Sequence, residues 1–170
     1  GVGKSELARA LAEFMFGSEN NLIALDMTEY QKDDTINRLI GSPPGYVGYE
    51  AGGQLTEKVI KQPYSVVLFD EVEKAHPRIL DILLQIMEEG RLTDGQGRLA
   101  NFAEAVILLT SNLGAVYLNN PANLEDADLN TQAREMALND VKGYFRPEFL
   151  NRLDDIITFN PLSATVMRGI

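Results

Sequence analysis

Cysteine is absent from the 170 residues, which excludes disulfides and thiolate metal sites and is compatible with a reducing compartment. Histidine occurs once, at His76, so no second imidazole is available for a shared metal, and a structural role is expected for it. No apolar run approaches the roughly 18 residues of a membrane span, and no signal peptide is visible. Basic residues are few: fifteen Lys and Arg stand against twenty-five Asp and Glu, a net charge of -10. That balance argues against a dominant nucleic-acid surface, which needs clustered cations facing phosphate. The chain also opens on Gly1 rather than on methionine, inside what reads below as a functional loop, and is expected to be a piece of something longer.

What is present is a globular composition, 45% hydrophobic, at one domain's length. Its organising stretch is SVVLFDE at 65–71. Four apolar residues, 66–69, run without alternation, the pattern of a parallel strand covered on both faces, and deliver Asp70 and Glu71 at the carboxyl end. Ligands of open α/β sheets bind outside such ends. A core strand ending in two solvated acids is common, so the stretch gains meaning from GVGKS at 1–5. Gly1, Gly3, Lys4 and Ser5 match the second half of the phosphate-binding loop GxxxxGK[ST], with Val2 at a variable position; its glycines let backbone N–H groups approach phosphate oxygens. Lysine beside glycine often marks only a solvated helix start. Here a helix follows at once over 4–16, with Leu7, Leu11, Phe14 and Met15 as its apolar residues, and a phosphate at its amino end meets free N–H groups and the favourable end of the helix dipole. Together these features read as an α/β nucleoside triphosphatase.

Along the chain, 22–27 (LIALDM) reads as a second buried strand with Asp26 at its end, and 28–41 as helical, with Ile36, Leu39 and Ile40 on one side and a stop at Gly41. Residues 54–61 form a short helix with Leu55, Val59 and Ile60 inward. A further helix, 78–89, repeats Ile79, Ile82, Leu83 and Ile86 at helical spacing and ends at Gly90. Asp94-Gly95 and Gln96-Gly97 within 91–102 suggest a β-hairpin. The run AVILL at 105–109 makes a third buried strand, beyond whose carboxyl end stands Asn112. The acidic segment 119–130 reads as a poorly ordered loop, 131–145 as a helix broken by Arg146-Pro147, 156–159 as a last strand, and Pro161 with Ser163 as the entry to another helix. The segment SPPGYVGYEAGG at 42–53 is neither helix nor central strand. Composition alone favours an ordinary surface turn with Tyr46 and Tyr49 folded back on the core; a mobile loop presenting an aromatic residue is the alternative.

With GVGKS, PPGYVGYE, SVVLFDEVEKAHP, GRLTDGQGR, LLTSN and FRPEFLNRLD in this order, the chain resembles, over nearly its whole length, the second ATPase module of Clp-family AAA+ proteins, ClpB-type disaggregases above all. The resemblance implies the P-loop NTPase fold of AAA+ proteins, a three-layer sandwich around a parallel sheet. Residues 1–160 would be the large ATPase subdomain without its first strand, and 161–170 the start of a small helical domain; cut at both ends, the fragment alone would hydrolyse ATP poorly. ATP and Mg2+ are the implied cofactors. Gly1, Val2, Gly3, Lys4 and Ser5 would form the Walker A end, with Lys4 on the β- and γ-phosphates and Ser5 on the metal; Asp70 would hold the metal's water shell and Glu71 would polarise the attacking water. Asn112 matches the residue that senses the γ-phosphate. Arg152 matches the arginine finger that reaches a neighbouring subunit's site, with Arg146 as its fallback, and an ion pair to Glu148, Asp154 or Asp155 is the plain alternative for either. Tyr46, with Val47 beside it, matches the axial pore loop that grips unfolded polypeptide, and the hairpin at 91–98 a secondary one.

The implied partners are five further copies in a homo-hexamer, unfolded or aggregated polypeptide clients and a co-chaperone, in the cytoplasm or the interior of an organelle of bacterial type, with neither nucleic acid nor membrane. Three alternatives are weighed against this. A Clp unfoldase feeding a peptidase differs in segments beyond residue 170. A nucleic-acid remodeller on the same core predicts basic channel residues, where 42–53 offers tyrosines and Glu50. A non-hydrolysing assembly module is at odds with the complete set Lys4, Asp70, Glu71 and Arg152.

Overall fold

Branched and apolar runs become strands, and the amphipathic segments between them become helices. The computed structural model describes residues 2–119, 126–154 and 156, in two units, 6–111 and 1–5 with 112–170. In chain order the larger unit comprises α1 (Val2–Phe16, whose first turn belongs to the other unit), β1 (Leu22–Asp26), α2 (Ile36–Ile40), α3 (Thr56–Lys61), β2 (Val66–Asp70), α4 (Pro77–Glu89), β3 (Arg91–Thr93), β4 (Leu99–Asn101) and β5 (Val106–Leu109).

The sheet runs β1-β2-β5, all parallel, so β2 is central among the described strands. Leu22 pairs with Val66 and Asp26 with Asp70; the two strands therefore end level, each on a carboxylate. On the other side Val66 pairs with Val106 and Phe69 with Leu109. β2 is buried from Val66 to Phe69, as an uninterrupted apolar run requires. β5 departs from expectation: its residues are each half-buried rather than buried. Among the described residues only one of its edges is paired, and an outer strand is shielded on fewer sides than a central one.

Helix α1 also corrects the periodicity reading. Leu7, Phe14 and Met15 are exposed, Phe14 by 88%, while Ala8 and Ala12 are fully buried. Those alanines lie one turn apart on a face of their own, so the helix turns its small residues inward and keeps its large apolar stripe outside. The segment expected as one helix over 28–41 is broken into short 3-10 turns at Met27–Glu29 and Asp33–Thr35 followed by α2. In α4 the buried residues are Ile79, Leu83 and Ile86, on the expected face. His76 caps that helix, its Nδ1 accepting from the Arg78 N–H at 3.1 Å, the structural role expected of it.

The hairpin of β3 and β4 forms as expected, with Arg91 opposite Asn101. Asp94 closes it: Oδ1 accepts from the N–H groups of Gln96 (3.0 Å) and Arg98 (2.7 Å), and Oδ2 from Arg98 Nε at 2.9 Å. The hairpin tip crosses the stem of the 42–53 segment with no room for a side chain. A Cβ on Gly95 would lie 2.4 Å from the Ser42 carbonyl oxygen, and one on Gly53 would lie 2.4 Å from that of Leu39. Gly95 N–H donates to the Ile40 carbonyl at 2.9 Å. Arg98 also pairs with Glu57 of α3, whose second cation is Lys61 at 3.3 Å. Arg98 first, then Lys61, holds the Glu57 carboxyl below the usual carboxylate range.

The smaller unit contains α5 (Ala115–Leu118), α6 (Ala127–Tyr144) and α7 (Pro147–Leu150). Leu118, Ala133 and Ala137 make its core cluster, with Tyr117 against it. α6 starts earlier than the expected residue 131, because Asp126 caps it, accepting from the Asp128 and Leu129 N–H groups at 2.9 and 3.3 Å. Phe145 stacks on Phe149 at 5.1 Å, tying the break at Arg146-Pro147 to the next short helix. The loop expected across 120–125, the strand at 157–159 and the helix from Pro161 lie outside the described residues.

Candidate functional site

On the β5 side the end of β2 is held by a single residue. Sheet pairing with β5 stops at Phe69 and Leu109, and Thr110 then meets each of the next positions in turn. Its N–H donates to the Phe69 carbonyl (3.0 Å) and its carbonyl accepts from the Val72 N–H (2.9 Å). Its hydroxyl donates to Asp70 Oδ1 and accepts from the Glu71 N–H at 3.0 Å. Within this wrap Glu71 adopts φ 56°, the one non-glycine residue with positive φ among those described. A left-handed conformation at an ordinary residue costs on the order of 1–2 kcal/mol and persists where neighbours fix it. Asp70 Oδ2 accepts no hydrogen bond among the described residues, while Asp26, level with it on β1, turns Oδ1 back onto Thr28. Next to the pair, buried Glu73 accepts from Ser111 Oγ at 3.1 Å. Thr110 and Ser111 escaped the sequence reading. Their signal was present in LLTSN, where two hydroxyls stand between a strand end and Asn112.

In the other unit, Gly3, Lys4 and Ser5 occupy the first turn of α1, where N–H groups have no acceptor within the helix. Gly1 and the Val2 side chain lie outside the described residues. Lys4 Nζ reaches Asn112 Oδ1 at 3.4 Å, so the candidate phosphate-loop lysine and the candidate sensor come together. The Asn112 carbonyl also accepts from Ala115 N–H at 3.0 Å, leading into α5. Arg146 and Arg152 are both exposed; Arg146 pairs with Glu148 at 3.6 Å, and the Arg152 N–H donates to the Phe149 carbonyl at 3.2 Å.

The 42–53 segment is a chain of turns. Tyr46 N–H donates to Pro43 O, Tyr49 N–H to Tyr46 O and Ala51 N–H to Gly48 O, at 3.2 to 3.3 Å. Its stem is pinned by Ser42 Oγ to Val47 O and Gln96 Nε2 to Tyr49 O, both 2.7 Å. Tyr49 is half-buried, whereas Tyr46 is 67% and Val47 98% exposed. The two tyrosines thus part company: the folded-back reading suits Tyr49, and Tyr46 is presented outward. Gly45, Tyr46, Gly48, Tyr49, Glu50 and Ala51 line a shallow concavity there.

The family model described as AAA domain (Cdc48 subfamily) matches residues 1–156. The chain belongs to the AAA domain family. Its fold is accordingly the P-loop nucleoside triphosphatase fold of AAA+ proteins, and the family is one of nucleotide-binding ATPases. Among curated AAA relatives, it is 52% identical over 170 residues to the chaperone protein ClpB of Bacillus anthracis and 52% identical over 170 residues to heat shock protein 104 of Schizosaccharomyces pombe, covering all of this chain and 20% and 19% of theirs. The chain thus spans about a fifth of the length of these relatives. Of solved structures, the Saccharomyces cerevisiae Hsp104-ADP complex superposes with a TM-score of 0.85 at 40% identity, covering 99% of this chain and 29% of that one. Hsp104 with ATPγS and casein gives 0.81 at 40% identity, over 95% and 28%.

Proposed function

We propose that the protein bearing this AAA domain hydrolyses ATP in a ring of six copies and uses the cycle to draw unfolded or aggregated polypeptide through a central channel, in the cytoplasm and with a co-chaperone. In this reading, 1–160 form the large ATPase subdomain and 161–170 begin a helical one. The observation that carries the proposal is the acid pair at the end of the buried central strand, with Asp70 and Glu71 fastened by one threonine. Relatives seen with ADP, with ATPγS and with casein support it.

The donor set suits magnesium. Among the described residues no cluster of three or more His, Asp or Glu exists to cage an ion, and magnesium favours one or two side chains supplemented by water and phosphate oxygens. Ser5 Oγ would hold it directly and Asp70 through water; bound there, it would offset charge on the phosphates. Backbone N–H groups of the loop through Gly1, Val2 and Gly3 cradle phosphate oxygens, and the Lys4 ammonium neutralises the β- and γ-phosphates. Glu71 accepts a proton from the attacking water at its carboxylate. Asn112 orients that water by its amide. Arg152, reaching from a neighbouring copy, stabilises charge in the transition state, worth on the order of 10³-fold in rate. Tyr46 offers a flat ring, with Val47 beside it, to polypeptide of any sequence.

Replacing Glu71→Gln in the full-length chain tests the chemical half. Nucleotide binding should persist while phosphate release falls by about 10²- to 10⁴-fold; undiminished turnover would remove Glu71 as the base.

A further inference from the structure

Thr110 is neither acid nor base, yet it makes four backbone and side-chain contacts with 69–72. We infer that the Thr110 hydroxyl is the positioning group of the hydrolytic site, setting Asp70 and Glu71 relative to one another. A backbone pairing would fix the main chain alone. Here one oxygen does two things: as donor it fixes which carboxylate oxygen of Asp70 is engaged, leaving Oδ2 for the metal's water, and as acceptor it holds the N–H of the next residue. That N–H belongs to Glu71, whose φ of 56° has left the strand. Without the acceptor, the left-handed backbone of Glu71 loses one of its restraints, and its carboxylate shifts with any relaxation toward the extended form that ordinary residues prefer.

Small misplacements of a reacting group cost disproportionately: about 1 Å is worth on the order of 10²-fold. The inference rests on the reading of Asp70 and Glu71 as metal-site acid and base. It assigns Thr110 an effect on turnover rather than on nucleotide affinity, because the hydroxyl bonds to the Asp70 carboxylate and the Glu71 N–H.

The test uses the full-length chain with Thr110→Val, which keeps the branched shape and removes the hydroxyl, and Thr110→Ser, which keeps the hydroxyl. For valine, kcat for ATP should fall by roughly 10- to 100-fold with KM within about threefold; serine should recover most of the loss. Valine turning over at the parent rate overturns the inference, and so does serine falling as far as valine, since the methyl would then be the active feature. If the valine variant does not fold, Thr110→Cys replaces it: the weak S–H donor should leave turnover well below serine's, and equal rates overturn the inference. Glu71→Gln run beside these separates the two readings. Its full activity would sink the proposed function, whereas its inactivity beside an active valine variant would sink the role of Thr110 alone.

Discussion

The end of β2 and the crest of the 42–53 loop are built on opposite terms. At the first, residues 66–69 are buried and the two acids that follow are fixed through Thr110. At the second, the Tyr46 and Val47 side chains stand in solvent on a run of turns, held only through the backbone carbonyls of Val47 and Tyr49. In the proposed reading, chemistry on a phosphate requires atoms placed to a fraction of an ångström, which suits the acids at a buried strand end. In the same reading, gripping a chain of arbitrary sequence would require reach, and a glycine-flanked ring gives reach at little cost to the core. The difference leads us to expect loss of stability and loss of function to separate between these regions.

That separation can be broken in order of expected effect. Phe69→Ala, beneath the acids, should destabilise by about 3–5 kcal/mol in chemical denaturation; a change under 1 kcal/mol would mean that the strand end is not anchored by its core. Gly53→Ala sets a Cβ against backbone at 2.4 Å and should cost about 1–3 kcal/mol, with faster proteolysis of 42–53 and an intact β2. Unchanged proteolysis would show that the stem is not what holds the loop. Acid acts next. The Glu57 carboxyl lies below its ordinary value, so its contribution is full above the unfolded-state value and is lost as pH falls through the folded one. Amide exchange in the hairpin should accelerate over that acidic window more in the parent than in Glu57→Gln; identical profiles would assign the change elsewhere. Tyr46→Ala should shift stability by no more than about 0.5 kcal/mol and abolish polypeptide threading in the full-length chain. A large loss of stability there would erase the contrast between the two regions.

How far the sequence carried can be judged from particular residues. VVLFD declared itself because a strand buried on both faces has no alternation to confuse, and DGQG declared the hairpin because few residues tolerate such turns. α1 misled for a physical reason. Periodicity identifies an apolar stripe but not which side faces the core, and paired alanines, which carry little hydrophobic signal, took the inner face. The start of α6 was hidden because an acidic stretch looks like a loop until Asp126 is seen capping it. Among the candidate site residues, Lys4, Asp70, Glu71 and Asn112 stood out in the sequence as charged or amide groups within the motifs that carry the resemblance. Thr110 did not, because its role depends on four partners in 69–72, contiguous with one another but far from it along the chain.

The bare packing of Gly53 and of Gly95 on the backbone of 39–42 has a mechanical consequence. With no side chain between them to bend or slip, the foot of the Tyr46 loop and the tip of the hairpin are geared together backbone on backbone. A pull on the exposed ring is therefore expected to load β3 and β4 as well as the chain that leads on to the acid-bearing strand.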